Sequence, residues 1–168
     1  MSEMFELKAL SPQAIPRALE KAVRYRLLNE PLQAESICLD VLRIDPENQA
    51  ALIIQLLALT DQFPQRQSAV EEAQAICRGL RSEYDRRYYA GIICERRGKA
   101  QLHRHAPGAN SAAYEALREA MERYEQAIEI RPPENDDAML RWNTCARVLM
   151  RNPNLQPARE ERFEHPLE

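Results

Sequence analysis

The side chains in this sequence with chemistry to offer are two close histidines, His103 and His105, four cysteines, two arginine pairs and a run of glutamates. Two imidazoles can share a metal ion only if they point to one side. Residues two apart on a helix diverge by about 200°, so His103 and His105 face opposite ways and read as surface groups. Cys38, Cys77, Cys94 and Cys145 stand singly with no C-x-x-C pair, which argues for reduced, mostly buried thiols over a zinc or redox site. Arg86-Arg87 and Arg96-Arg97 could touch phosphate, but adjacent helical residues diverge by about 100° and no aromatic series accompanies them for base stacking. RNA binding is therefore a remote alternative, and nucleic acid an unlikely partner. Glu115, Glu119, Glu122, Glu125 and Glu129 form a solvated face rather than an acid–base pair. H-E-x-x-H, G-x-S-x-G and phosphate-loop patterns are all missing. The expectation is a protein that is not an enzyme and needs no metal or cofactor.

Composition leads the same way. The chain has 168 residues, 45% hydrophobic and 29% charged, enough for one globular domain or a short repeat array. Only 4 glycines argue against hairpin-rich sheets and phosphate-cradling loops, leaving an all-α chain. A net charge of -3 and a pI near 5.7 give no global attraction to nucleic acid. Met1 to Lys8 carries Glu3 and Glu6 where a secretory leader needs positive charge, and no apolar run approaches the ~18 residues of a membrane span. A cytoplasmic location without a membrane partner is expected.

The elements that would position these groups follow from periodicity and punctuation. A first helix starts at Ser11 or Ile15 and ends near Leu28, with Pro16 favouring the later start. Asn29 suits the left-handed position after it, and Pro31 opens a second helix to Ile44 with Ala34, Ile37, Cys38, Val41 and Leu42 on one face. A third, 47–62, is apolar on nearly every side and should be central. Ser68 to Leu80 repeats the second helix's pattern. Glu83 to Arg104, capped by Ser82 or a neighbour, carries Arg86, Arg87, Arg96, Arg97, Lys99 and Arg104. Ser111 to Ile130 carries the glutamates, which should oppose those cations across an antiparallel hairpin. Asn135-Asp136-Asp137 offers capping oxygens to a last helix ending at Arg151. This predicts an N-terminal segment 1–14, a helical domain 15–151 and a charged tail 152–168, loosely docked at most.

Spacing ties the helices into repeats. Ala18, Lys21, Ala22 and Tyr25, then Ala34, Cys38, Val41 and Pro46, recur downstream. Ala22 leads after 34 residues to Leu56 and after 35 more to Gly91, while Ala120, Tyr124, Ala127 and Pro132 repeat the second half. Leu59 to Ala69 is one residue longer than Tyr25 to Ala34, and Cys94 to Ala120 is longer by 17 (26 against 9). The third hairpin is thus extended, and the 86 residues from Pro46 to Pro132 equal two 34-residue periods plus both excesses.

These residues resemble the tetratricopeptide repeat, a 34-residue helix-turn-helix unit with the pattern W-x2-L-G-x2-Y, A-x3-F, P. Lys21 and Ala18 depart from its large apolar types. The resemblance covers about 15–150 and implies hairpins stacked as a right-handed α-solenoid, with the stretch of Met139, Trp142, Asn143 and Ala146 as a capping helix. It also implies a concave groove lined by Leu19, Val23 and Arg26, by Ile53, Leu57 and Thr60, and by Tyr88, Ile92 and Glu95. Leu19 and Val23 stand where a carboxylate clamp would need polar donors. The expected ligand is therefore a peptide or partner protein held by apolar side chains, in an adaptor or chaperone-like role. The alternative is a structural subunit that homo-oligomerises through the same groove.

Overall fold

A computed structural model describes residues 4–159, and among these the chain is helical with no strand. A 3-10 turn, Pro12–Ala14, leads into α1 (Ile15–Leu27), followed by α2 (Pro31–Ile44), α3 (Gln49–Thr60), α4 (Ser68–Arg78), α5 (Glu83–Arg104), α6 (Ala109–Glu129) and α7 (Asp137–Arg151). Both starts offered for the first helix are used, because Ser11-Pro12 opens the 3-10 turn and α1 continues from it. Asn29 takes the left-handed position after α1 at φ 61°. Asn48 caps α3, accepting the Ala51 N–H at 2.9 Å, and Ser82 caps α5, accepting from Asp85 at 3.2 Å. At α7 the N-cap position is Asp136, whose side chain makes no capping bond, and the Asp137 N–H donates instead to Asn135 Oδ1 at 3.1 Å.

Each helix packs on its chain neighbours, and the first helices of successive hairpins also touch, α1 with α3 and α3 with α5. The result is an all-α, repeat-like stack, not a closed cylinder. Its third hairpin is long, as expected: α5 has 22 residues and α6 has 21, against 11 to 14 for α1 to α4.

Small residues make the stacking possible. Ala22, Ala34, Ala120 and Ala127 are fully buried, as is Leu56 at the equivalent place in the second hairpin, and Gly91 is buried. Tyr25 is half-buried, while Pro46 and Pro132 stand exposed just beyond α2 and α6. The Tyr124 ring lies flush against Gly91: a Cβ there would fall 2.6 Å from Cδ1 and nearer still to Cε1. Seven residues on, a Cβ at Gly98 would fall 3.2 Å from the Ala116 Cβ and 3.3 Å from the Ala113 carbonyl oxygen. At its closest points the α5–α6 seam therefore sets glycines of α5 against Tyr124, Ala113, Ala116 and Leu117 of α6.

That seam overturns the expected charge ladder. Of the glutamates on α6, only Glu119 meets a cation of α5, Arg97 at 2.8 Å. Helices this close leave no room between them for long polar chains, so the other cations turn elsewhere. Arg87 pairs with Glu83 of its own helix, Arg96 reaches Asp61, Arg86 binds the Leu80 and Arg81 carbonyls, and Arg104 binds the Phe63 carbonyl. Glu125 accepts the Trp142 indole N–H instead.

The tail also differs from expectation over its described part. Leu155 is buried in the core shared by α5, α6 and α7 and anchors the segment there, while its neighbours from 152 to 159 are exposed. The reading for 160–168, like that for 1–3, lies outside the described residues.

Gly91→Ala separates helix propensity from packing. Alanine would gain about 1 kcal/mol in an unconstrained helix, but displacing Tyr124 should cost about 1–3 kcal/mol beyond that gain. A urea melt should show a net loss of stability, and a more stable variant would refute the close seam.

Candidate functional site

The inner face is formed by the first helices of the hairpins, where residues four apart lie one above another. Leu19 and Val23 on α1, and Ile53 and Leu57 on α3, make an apolar strip that is partly open to solvent. Val23 is 44% exposed, and Leu27, one turn further along α1, is 79% exposed. Leu27 was absent from the expected lining, although its spacing from Val23 would have placed it there.

The strip is crossed by charge. Arg26 Nε lies 2.8 Å from Asp61 Oδ2 and Arg96 Nη1 lies 3.7 Å from Asp61 Oδ1, so one carboxylate just past α3 ties α1 to α5. Thr60, expected to face the groove, is buried, and its hydroxyl donates to the Leu57 carbonyl at 2.7 Å. A fourth-turn threonine commonly folds back in this way and offers nothing to a ligand.

On α5 the expectation fails more completely. Tyr88 is half-buried, stacked on Tyr84 with ring centroids 5.8 Å apart and edge-on to Tyr89 at 5.0 Å. Ile92 is buried, and Glu95 is 0% exposed. The Glu95 carboxylate accepts from Lys99 Nζ at 3.0 Å and faces Arg141 Nη1 at 3.5 Å. Its other oxygen accepts from the Cys145 thiol at 3.3 Å and from the Tyr124 hydroxyl at 3.4 Å. Arg141 and Cys145 belong to α7, so side chains of the last helix meet Glu95 of α5 and bury it. Lys99 was visible in the sequence as the i+4 partner of Glu95, whereas Arg141 could not be paired with it before the crossing of α7 was known.

Of the nine expected lining residues, then, Val23 is exposed and Leu19, Arg26, Ile53, Leu57 and Tyr88 are half-buried on the first helices of the hairpins. Thr60, Ile92 and Glu95 are buried instead. His103 and His105 line two different clefts, one beside Lys99 and one beside Gly108. Among the described residues no group of three or more His, Cys, Asp or Glu is placed to hold a metal ion. No described helix is long and apolar enough to cross a membrane.

The four cysteines are unpaired and buried. Burial pushes the thiols from their ordinary 9.0 up to about 12 for Cys38, about 11 for Cys77 and Cys94, and about 12 for Cys145, where the Glu95 charge adds to the effect. Such thiols stay neutral at physiological pH and make poor nucleophiles.

Set against family models, curated protein sequences and solved structures, the chain matches none of them. The reading of its function rests on its own geometry.

Two outcomes follow. Arg141→Ala leaves the Glu95 carboxylate buried with one cation fewer and should cost about 3 kcal/mol, read as a lower urea midpoint by the fluorescence of Trp142 on α7. An unchanged midpoint would contradict the tie between α5 and α7. The raised thiols also set a pH dependence. Below pH 9 the folded and unfolded thiols are equally protonated, and from 9 towards 12 the unfolded chain loses protons that the folded one keeps. Stability should therefore fall progressively above pH 9 in melts from pH 8 to 11, and Cys→Ser variants should flatten that fall.

Proposed function

We propose that this chain is a partner-binding module, a helical-repeat scaffold of the tetratricopeptide type that takes a peptide or segment of another protein along the strip of Leu19, Val23, Ile53 and Leu57. The observation that supports this is apolar exposure along the first helices: Val23 and Leu27 are exposed on α1 and Ile53 and Leu57 are half-buried on α3, whereas on α5 Ile92 and Glu95 are buried and Glu95 faces Arg141. Apolar side chains laid along rigid helices hold a ligand's anchors at fixed spacing, which is how grooves select extended or helical peptides. Four anchors contribute a gross gain of about 6–12 kcal/mol, against an association cost of about 4–15 kcal/mol. Affinity should accordingly be modest. The role is that of an adaptor or chaperone-like protein and assigns no catalytic step. Four unpaired, buried thiols fit a reducing compartment and support a cytoplasmic location.

A second reading, self-association, is supported by a specific feature. Leu27, Leu28, Leu32 and Leu39 all stand exposed on the first hairpin, an unusual density of large apolar side chains for one small unit. Light scattering over a concentration series separates the two, because a strict monomer excludes the second.

Peptides selected from a random display library against the purified chain should carry two or more apolar anchors. Val23→Glu, at a site open enough to leave the fold intact, should weaken them by about tenfold or more in calorimetry. Equal affinity for both proteins, with matching circular dichroism, would refute the groove.

A further inference from the structure

On the side of α5 opposite the groove, α4 and α6 stand apart and leave a cleft of about 490 Å³. The two faces are distinct: Ala90, which lines the cleft, points about 140–160° away from Tyr88, Ile92 and Glu95 around the same helix. This volume is within the range of ligand sites, roughly 300–1,000 Å³.

Its walls are cationic. Arg78 comes from α4, Arg86 and Arg87 from α5 and Arg123 from α6, against a single carboxylate, Glu119. Four positive charges against one is a local excess in a chain whose net charge is -3. That one carboxylate is already held by Arg97 at 2.8 Å, and Arg123 approaches it only to 3.9 Å. Arg86 and Arg87 are anchored: the first donates to the Leu80 and Arg81 carbonyls, the second to Glu83 and the Gln126 carbonyl. Arg78 has neither an ion pair nor a side-chain hydrogen bond among the described residues. Arg78 thus stands on one wall without an anion, Arg123 on the other shares Glu119 with Arg97 at the longer distance, and two more guanidinium groups are fixed between them. Their convergence also registers on Cys77, whose thiol burial raises and the charges of Arg123, Arg78 and Arg86 each pull back.

The chemistry of the floor narrows the ligand. Ala90 and Ile93 are apolar, so an occupant with one small apolar side chain beside its negative charge fits better than a bare ion. No aromatic residue lines the cleft to stack a nucleic-acid base. Guanidinium groups bind carboxylates through paired, parallel N–H donors, so two facing forks suit a ligand with two carboxylates. We propose that the cleft between α4 and α6 binds a short acidic peptide segment of a partner protein, its carboxylates held by Arg78 and Arg123 and one apolar side chain resting on Ala90 and Ile93. This is a second binding surface, independent of the groove on the other face.

The test is fluorescence anisotropy of the full chain with labelled Glu-Glu-Leu-Glu-Glu. The expected result is saturable binding that weakens about tenfold or more in the Arg78→Ala/Arg123→Ala double variant, both sites being open enough to leave the fold intact. Binding should also fall between ~50 and ~200 mM salt. Arg43→Ala, on the exposed side of α2, and Val23→Glu, in the groove, should bind as the parent does. No binding, or binding equal in the parent and the double variant, overturns the proposal. So does stronger displacement by oligo-adenylate or inorganic phosphate than by unlabelled peptide, which would assign the cleft to phosphate. Because Val23→Glu and the double variant report on opposite faces, loss of the groove reading leaves this result standing.

Discussion

The Tyr124 ring lies on Gly91, and most of the C-terminal half depends on that contact. A side chain at position 91 would drive α5 and α6 apart; without one, the phenol fills the space and its hydroxyl reaches Glu95. Gly98 with Ala113 and Ala116 continues the close approach along the hairpin, so the seam holds over both long helices. Charged residues are expelled from it and become the structure's longer-range ties. Glu95 is the exception, buried at the point where α5, α6 and α7 meet. A carboxylate in that position is tolerable only because Lys99 and Arg141 neutralise it and two further donors serve its second oxygen.

The consequence is an uneven stack. The core under the first hairpin consists of Ala22, Ala34 and Cys38 with Ala58 of α3, and has Tyr25, Ile37 and Ile54 at its edge. The core of the third contains Tyr84, Ile92, Leu117, Met121 and Tyr124, closed by α7 and Leu155. In a stack where each unit touches only its neighbours, local stability follows local burial. The end with the smaller core is also the end with exposed leucines and the open strip. Buried apolar volume is thus concentrated in the C-terminal hairpin, where Glu95 meets α7.

How much of this was legible in the sequence depended on the range of the interaction. Helix number, the Asn29 and Ser82 boundaries and the long third hairpin were readable because they follow from local propensity and from spacing between like positions. The role of Gly91 was readable for the same reason, while Gly98, one heptad away, carried the same signal and was overlooked. The charge ladder between α5 and α6 was misread because sequence shows that two helices carry opposite charges but not how close they approach. Glu95 was misplaced for a related reason: its position on α5 was right, but the helix that covers it comes some 40 residues later. The arginine cleft was partly visible in Arg86-Arg87, yet Arg78 and Arg123 join it only through the packing of three helices.

Residue-resolved amide hydrogen exchange under native conditions tests this uneven stack most directly. The account predicts slowest exchange in α5 and α6 around Gly91 and Tyr124, intermediate rates in α3 and α4, and fastest helical exchange in α1 and α2. A single cooperative unit in which α1 exchanges as slowly as α5, or a first hairpin more protected than the third, would contradict it.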